Sequence, residues 1–310
     1  MRALALFIFF CFGVFEPARA MFDGICNLGE FKCGRARTSR SASANPSSNS
    51  RISINPSAVP TERGLGIEAI GYKNLYDVGL VRGLGRVGAA ITPSNSEDTF
   101  FGAPAYEATE ELHLRKLERD KYRGRKVTLA TAFNLFEHKK SALRRFSLNL
   151  GVLGKYNQTT YATTGGAGVN GILGPFTFGY SAYRDETLLT PIGLDPYKVQ
   201  SIVENYSVGI YLNMLVIDYS TLRMQNTAVD HVDLITGSLL FDRWSISISE
   251  RREYSRRAHF NFQTGDLFFQ EKKVEQFYGG NFRVTGNFMV GLMYNYYLLR
   301  EVSGSVTLMF

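Results

Sequence analysis

The sequence predicts an all-β chain whose strands close into a transmembrane antiparallel β-barrel of about 14 strands, preceded by an irregular N-terminal segment. Three observations carry this. Apolar and small or polar residues alternate with period two over long stretches, so each strand has one apolar and one small or polar face. These stretches run to about ten residues or more, the length an inclined membrane strand needs, whereas soluble strands usually run about five or six. The composition agrees: 23 Phe, 17 Tyr and 30 Gly stand against only 9 Pro. A mean hydropathy of -0.11 is too polar for a bundle of membrane helices. After residue 20 there is no apolar run of about 18 residues, so no helical span is predicted.

The chain begins with an export signal. Arg2 is a basic start, residues 3–15 are an apolar run, and Ala18-Arg19-Ala20 fits a small-x-small cleavage site, placing the cut after Ala20. The formal net charge of +7 is hardly altered by removing Arg2, Glu16 and Arg19. Export brings Cys26 and Cys33 into an oxidising compartment, where they are candidates for a disulfide. A free or metal-binding pair is the alternative, but no His or further Cys lies near enough in sequence to complete a zinc site.

Residues 21–62 form a second region, periplasmic or plugging the lumen. Ser, Asn, Pro and Arg dominate 38–60, without a clear apolar period, so the stretch cannot fold alone. It is read either as a flexible linker or as a segment packed inside something larger. Two Asn-Pro-Ser elements, at 45–47 and 55–57, point to the second.

Residues 63–310 are the barrel. Counted back from the C-terminus, the strands are expected at 302–310, 287–298, 267–284, 243–262, 230–241, 214–225, 202–213, 174–184, 163–173, 143–155, 125–137, 105–121, 78–91 and 64–74. A count of 12 to 16 is compatible with the pattern. With both ends periplasmic, 285–287, 241–243 and 213–215 become short inner turns, and 185–201 a long outer loop. Thr264-Gly265-Asp266 reads as the tip of a hairpin, and the charged run 250–257 beneath it predicts a hairpin standing well above the membrane. Tyr156, Tyr180, Tyr183, Tyr294, Tyr296 and Tyr297 lie near segment ends, as interface girdles do.

The last strand places Val306, Leu308 and Phe310 on one face, with the aromatic residue terminal. It resembles the final strand of bacterial outer-membrane proteins, whose terminal Phe and alternating apolar residues are read by the barrel-assembly machinery. The resemblance implies the bacterial outer membrane as location. It also implies as partners that machinery, outer-membrane lipids and lipopolysaccharide, which basic outer loops would attract.

The alternation gives each strand its facing. Val81, Gly83, Gly85, Val87, Ala89 and Ile91 are expected to face lipid, which turns Arg82 and Arg86 inward. Leu65, Ile67 and Ala69 face out, so Glu68 faces in, and by the same rule Arg145, Asp218 and Arg283 face in. An arginine at the bilayer midplane costs about 2–4 kcal/mol on the lipid face, which favours the inward assignment. The preferred reading of these lumen-facing candidates is structural: Glu68 pairs with Arg82 or Arg86 and braces the wall. The alternative is a lumen that favours anions or grips a carboxylate.

Other chemistry finds little support. His113, His138, His231 and His259 are scattered and lack metal-ligand spacing, so no metal and no cofactor are expected. Residues 165–168, Gly-Gly-Ala-Gly, lack the Lys-Ser/Thr and the strand-to-helix context of a phosphate loop. No Ser, His and acidic set is singled out by spacing, so an enzyme is not expected, a rim-site lipid hydrolase being the remote alternative. Nucleic acid is not an expected partner in this compartment.

Fourteen strands preceded by a segment carrying Asn55-Pro56-Ser57 resemble the outer-membrane long-chain fatty acid transporter family, with 84–102 similar to its second-strand segment. The resemblance implies a barrel plugged by an N-terminal hatch. Ser57 stands where the family has Ala, the barrel is short for the family, and the hatch is poor in apolar residues. The function expected is a channel or transporter for small or amphipathic, including hydrophobic, solutes. The alternative is a structural or surface-contact protein with a filled lumen and a working hairpin at 250–276.

Overall fold

The computed structural model describes residue 52 and residues 54–61, 63–72, 75–94, 125–139, 145–158, 160–189, 197–212, 214–225, 229–255, 258–260, 267–269, 273–295 and 302–310. Cys26, Cys33, the strand expected at 105–121 and the hairpin tip at 264–266 lie outside these residues.

Among the described residues a 3-10 turn at Pro56–Ala58 precedes sixteen strands. These are β1 (Gly64–Tyr72), β2 (Leu75–Gly83), β3 (Val87–Ser94), β4 (Lys126–Lys139), β5 (Arg145–Asn157), β6 (Ala162–Leu173), β7 (Phe176–Leu189) and β8 (Tyr197–Leu212). They continue as β9 (Leu215–Met224), β10 (Val229–Leu240), β11 (Trp244–Ser255), β12 (Ala258–Phe260), β13 (Leu267–Phe269), β14 (Lys273–Arg283), β15 (Phe288–Asn295) and β16 (Val302–Met309). All but β12 and β13 form one closed antiparallel barrel of 14 strands, each paired with its neighbour in sequence and β1 with β16. Closure is local and strong: Ile67 faces Leu308, Glu68 faces Thr307, and Leu65 and Phe310 exchange backbone hydrogen bonds of 2.9 and 2.8 Å. A closed barrel leaves no sheet edge, so every strand finds backbone partners without water.

The count of 14 matches expectation, but two strands are distributed differently. The stretch expected as one strand at 78–91 breaks at a tight turn, 84–86, into β2 and β3. Gly85 makes this turn, with φ of +111°, a conformation that favours glycine. The β2–β3 ladder is also interrupted between Asp77↔Ser94 and Leu80↔Ile91, opposite Pro93, which has no N–H to donate. The outer loop expected at 185–201 is shorter, because β7 continues to Leu189 and β8 begins at Tyr197. The stretch expected as a single strand at 243–262 ends at Ser255, and β12 and β13 pair with each other as a separate two-stranded ladder, Ala258↔Phe269 to Phe260↔Leu267.

The outer surface carries the large apolar side chains. Leu129, Phe133, Leu150, Val152, Phe178, Val208, Ile246, Ile248 and Leu292 are all exposed. A surface of that kind around a closed barrel is a lipid-facing surface. Aromatics gather at its two ends. Tyr180 and Tyr206 meet at 5.0 Å across the β7–β8 pair, while Phe136–Phe146 and Phe241–Trp244 stack at 5.0 and 3.7 Å near the inner turns. Tyr156, Tyr180 and Tyr294 lie on this outer face. Tyr183 does not: it is buried inside with Leu153 and Val203. Among the described residues no helix is long and apolar enough to cross a membrane.

Candidate functional site: the lumen and its internal segment

The inner face of each strand bears the small and polar half of the alternation. Ser245, Ser247 and Ser249 are buried on β11, Ser220 on β9, Thr236 and Ser238 on β10, and Asn149 and Asn170 on β5 and β6. Ser249 Oγ and Thr236 Oγ1 hydrogen bond at 2.9 Å across the β10–β11 pair.

Into this interior runs the chain's own segment 52–61. Asn55 starts the 3-10 turn: its Oδ1 accepts from Ser57 N at 3.2 Å and Ser57 Oγ at 2.6 Å, and Pro56 supplies the fixed φ of the first turn position. The segment climbs from the periplasmic end. The Thr61 carbonyl accepts from Gly85 N at 2.7 Å, at the inner β2–β3 turn. Ile54 O accepts from Ser181 Oγ at 2.8 Å, further round the wall on β7.

Three wall glycines make room for it. A Cβ on Gly88 would lie 2.8 Å from Val59 Cγ1 and 2.9 Å from the Pro60 carbonyl carbon. One on Gly151 would lie 2.7 Å from Pro56 O, and closer still to the Ser57 nitrogen. One on Gly168 would run into Asn55 Oδ1. Glycine inside a strand marks close approach: at Gly88 and Gly151 it is the segment's backbone that approaches, and at Gly168 the Asn55 side chain.

The contact is apolar above the turn. Ile52, Ile54 and Val59 form one buried cluster with wall residues Val81, Ala90, Ala130, Ala132, Leu153, Val203, Leu222, Val232 and Leu234. Burial of such a side chain contributes about 1.5–3 kcal/mol. A water-filled pore lines its interior with polar groups, so this apolar stretch of wall is a departure that the segment covers.

Toward the outer end the interior becomes charged. Lys126 Nζ lies 2.8 Å from Asp185 Oδ1, both buried, and Lys155 Nζ sits 4.1 Å above the Tyr183 ring. Asn157 Nδ2 donates to Glu186 O at 2.8 Å, and Gln200 Nε2 to Glu186 Oε2 at 3.1 Å. The Lys126–Asp185 pair ties β4 to β7 over the two intervening strands.

Of the lumen-facing residues expected from sequence, Glu68 and Asp218 are 1% and 4% exposed on the inner face. Arg283 is half-buried in step with buried Asn281. Arg145 begins β5, and its side chain lies outside the described residues. Arg82 is placed oppositely to expectation. It is exposed in step with exposed Leu80, whereas Val81 is fully buried in the interior cluster and Gly83 is buried as well. Arg86 is exposed in the β2–β3 turn. The cause is the turn at 84–86: the parity of β3, where Ile91 and Ala89 do face out, cannot be carried back through it. Glu68 and Arg82 therefore stand on opposite faces of the wall and make no brace. Arg82 sits one residue from the inner end of β2, close to the membrane boundary, where an outward arginine costs only about 0–1 kcal/mol. Val306, Leu308 and Phe310 share the outer face, Phe310 at the closing seam with β1. Among the described residues no three His, Cys, Asp or Glu side chains are placed to hold a metal ion.

The residues that spacing alone did not single out are Gly88, Gly151 and Gly168. Their signal was present: each occupies an inward position in a strand.

No family model and no curated protein matches the chain. Solved structures similar to it are outer-membrane barrels at low identity. The CymD monoaromatic hydrocarbon channel is 9% identical, covering 90% of this chain and 94% of that one, with a TM-score of 0.44. The outer membrane protein Omp33 of Acinetobacter baumannii is 6% identical over 80% of this chain and 96% of that one, TM-score 0.39. The NanC porin is 10% identical over 79% and 98%, TM-score 0.34.

Proposed function

We propose that the protein is a bacterial outer-membrane channel for small apolar or amphipathic solutes, closed by its own segment at 52–61. One observation carries this reading: the interior wall is apolar where Ile52, Ile54 and Val59 rest on it. When the segment moves aside, the path it uncovers is lined by Leu153, Val203, Leu222, Val232 and Leu234, which suit a hydrophobic body better than a hydrated ion. The polar inner wall below gives an amphipathic solute a second environment. The wider plug, 21–62, belongs to the same proposal, as do the lipopolysaccharide contacts of the outer loops and the assembly machinery that would read Phe310.

Conductance in a planar bilayer tests it. The mature protein is expected to insert and stay nearly silent, and a variant lacking 21–60 to conduct steadily. Steady conductance by the intact protein, or silence of the shortened one, would overturn the plug.

A second reading, a surface-contact role, is favoured by the β12–β13 ladder, which stands apart from the barrel sheet. Deleting 252–275 would then abolish adhesion or contact while sparing insertion and transport.

A further inference from the structure

Where segment 52–61 meets the wall, three buried polar atoms have no hydrogen-bond partner in the protein. They are Asn55 Nδ2 and both amide atoms of Asn205, a residue that is fully buried. They belong together in space. Asn205 is the register partner of Ser181, and Ser181 donates to Ile54 O, the carbonyl next to Asn55. The Ser181 Cβ and Asn55 Oδ1 both crowd the space over Gly168. On its other side Asn205 faces Leu222 of the apolar cluster. A buried polar group without a partner costs about 1–3 kcal/mol, and native proteins rarely leave one so.

The donor set is defined. Asn55 Oδ1 is committed to Ser57, which fixes the amide orientation and leaves Nδ2 as a donor. Asn205 offers one donor and one acceptor whichever way its amide is turned. Two amide donors and one carbonyl acceptor at the edge of an apolar surface suit a hydroxyl group, which accepts and donates at once. A carboxylate only accepts and would oppose the Asn205 oxygen, an ammonium only donates and would oppose the amide N–H groups, and a hydrocarbon satisfies none of them.

We propose that the junction of Asn55 and Asn205 is a binding subsite for the hydroxyl of a small apolar alcohol. The hydroxyl oxygen accepts from the two amides, its proton goes to Asn205 Oδ1, and the hydrocarbon body lies against Ile54 and Leu222. This rests on the reading of the lumen as a path for apolar solutes, and it names a preference within that class. Thr177 Oγ1, also buried and without a partner, stands four residues along β7 toward the periplasmic end and extends the same polar track.

The test is equilibrium dialysis of labelled benzyl alcohol and labelled toluene against the full mature chain in lipid nanodiscs, with empty nanodiscs subtracted. Benzyl alcohol is expected to bind in excess, at least about tenfold over toluene, because a site built to hydrogen-bond a hydroxyl rejects the analogue lacking it. Asn205→Leu removes both amide atoms and should erase the preference. Asn205→Ala does so without added bulk and decides the matter should the first variant fail to fold. Equal binding of the two probes, or an undiminished preference in Asn205→Ala, would overturn the subsite while leaving the apolar path intact. Absence of any excess binding for either probe would overturn both.

Discussion

The β4–β6 wall and the β9–β11 wall have the same outer face and different inner ones. Outside, Leu150 and Val152 on one correspond to Ile246 and Ile248 on the other, all exposed and apolar. Inside, the first wall puts glycine where the second puts a hydroxyl: Gly151 and Gly168 against Ser220, Thr236, Ser247 and Ser249. The membrane imposes one demand on the outside everywhere, so the outer face is uniform. The inner face is decided locally by what lies against it, and glycine appears where the segment, by backbone at Gly151 and by the Asn55 side chain at Gly168, comes within touching distance.

Filling the glycine wall should break that difference most severely. Gly151→Leu drives a side chain into Pro56 and Ser57, whose backbone atoms cannot move as a flexible side-chain tip would. The barrel strands keep their pairing, so insertion is expected to survive while the segment is unseated and the silent protein becomes conducting. Gly237→Leu is the control, since a Cβ there meets nothing within 4 Å. Equal conductance from both variants would remove the special role of Gly151.

The next effect concerns the charge that ties the glycine wall together from above. Lys126→Ala removes the ammonium 2.8 Å from buried Asp185 and leaves it the charge of Lys155, so the loss should fall at the lower end of the about 3–5 kcal/mol typical of breaking a buried pair. The loss should appear as a lowered urea midpoint in reversible unfolding from lipid vesicles. Replacing both partners, Lys126→Met with Asp185→Leu, should recover most of it, because the cost lies in the stranded carboxylate and not in the absent attraction. A double variant as unstable as the single one would contradict this.

Smaller again is a test of the shared outer face. Leu150→Arg places a charge on the lipid side in the middle of the apolar run of β5, and should cost about 2–4 kcal/mol by the same unfolding measurement. Arg82→Leu, at the rim, should change stability by no more than about 1 kcal/mol. A large gain from Arg82→Leu would mean that this arginine lies deeper than the boundary.

These contrasts also show what the sequence alone could and could not convey. Period two, the segment lengths and the last strand specify a barrel, because a lipid-facing wall writes its demand into every second residue. Facing within a strand is equally legible as long as the strand is continuous, and it was lost at 84–86, where a glycine turn resets the parity and reverses Arg82. The interior segment left weaker traces. Asn55-Pro56-Ser57 is readable as a turn, but its seat is shared among Gly88, Gly151 and Gly168, spread over 80 positions of sequence, which only the closed sheet brings round one segment. The Lys126–Asp185 pair escaped for the same reason: its partners are 59 residues apart and two strands removed.

The smallest effect belongs to the hydroxyl wall. Ser249→Ala deletes the 2.9 Å bond to Thr236 Oγ1 and leaves one hydroxyl that can turn toward another partner. A neutral hydrogen bond of this kind contributes about 0.5–1.5 kcal/mol net, so a stability loss near 1 kcal/mol is expected, with no change in conductance. The second half of that expectation is the sharper one. The 3-10 turn rests chiefly on β4, β5 and β6, so loosening the hydroxyl wall should not loosen the turn. Conductance opened by Ser249→Ala would mean that the two walls are mechanically coupled, through the Leu222, Val232 and Leu234 side of the apolar cluster.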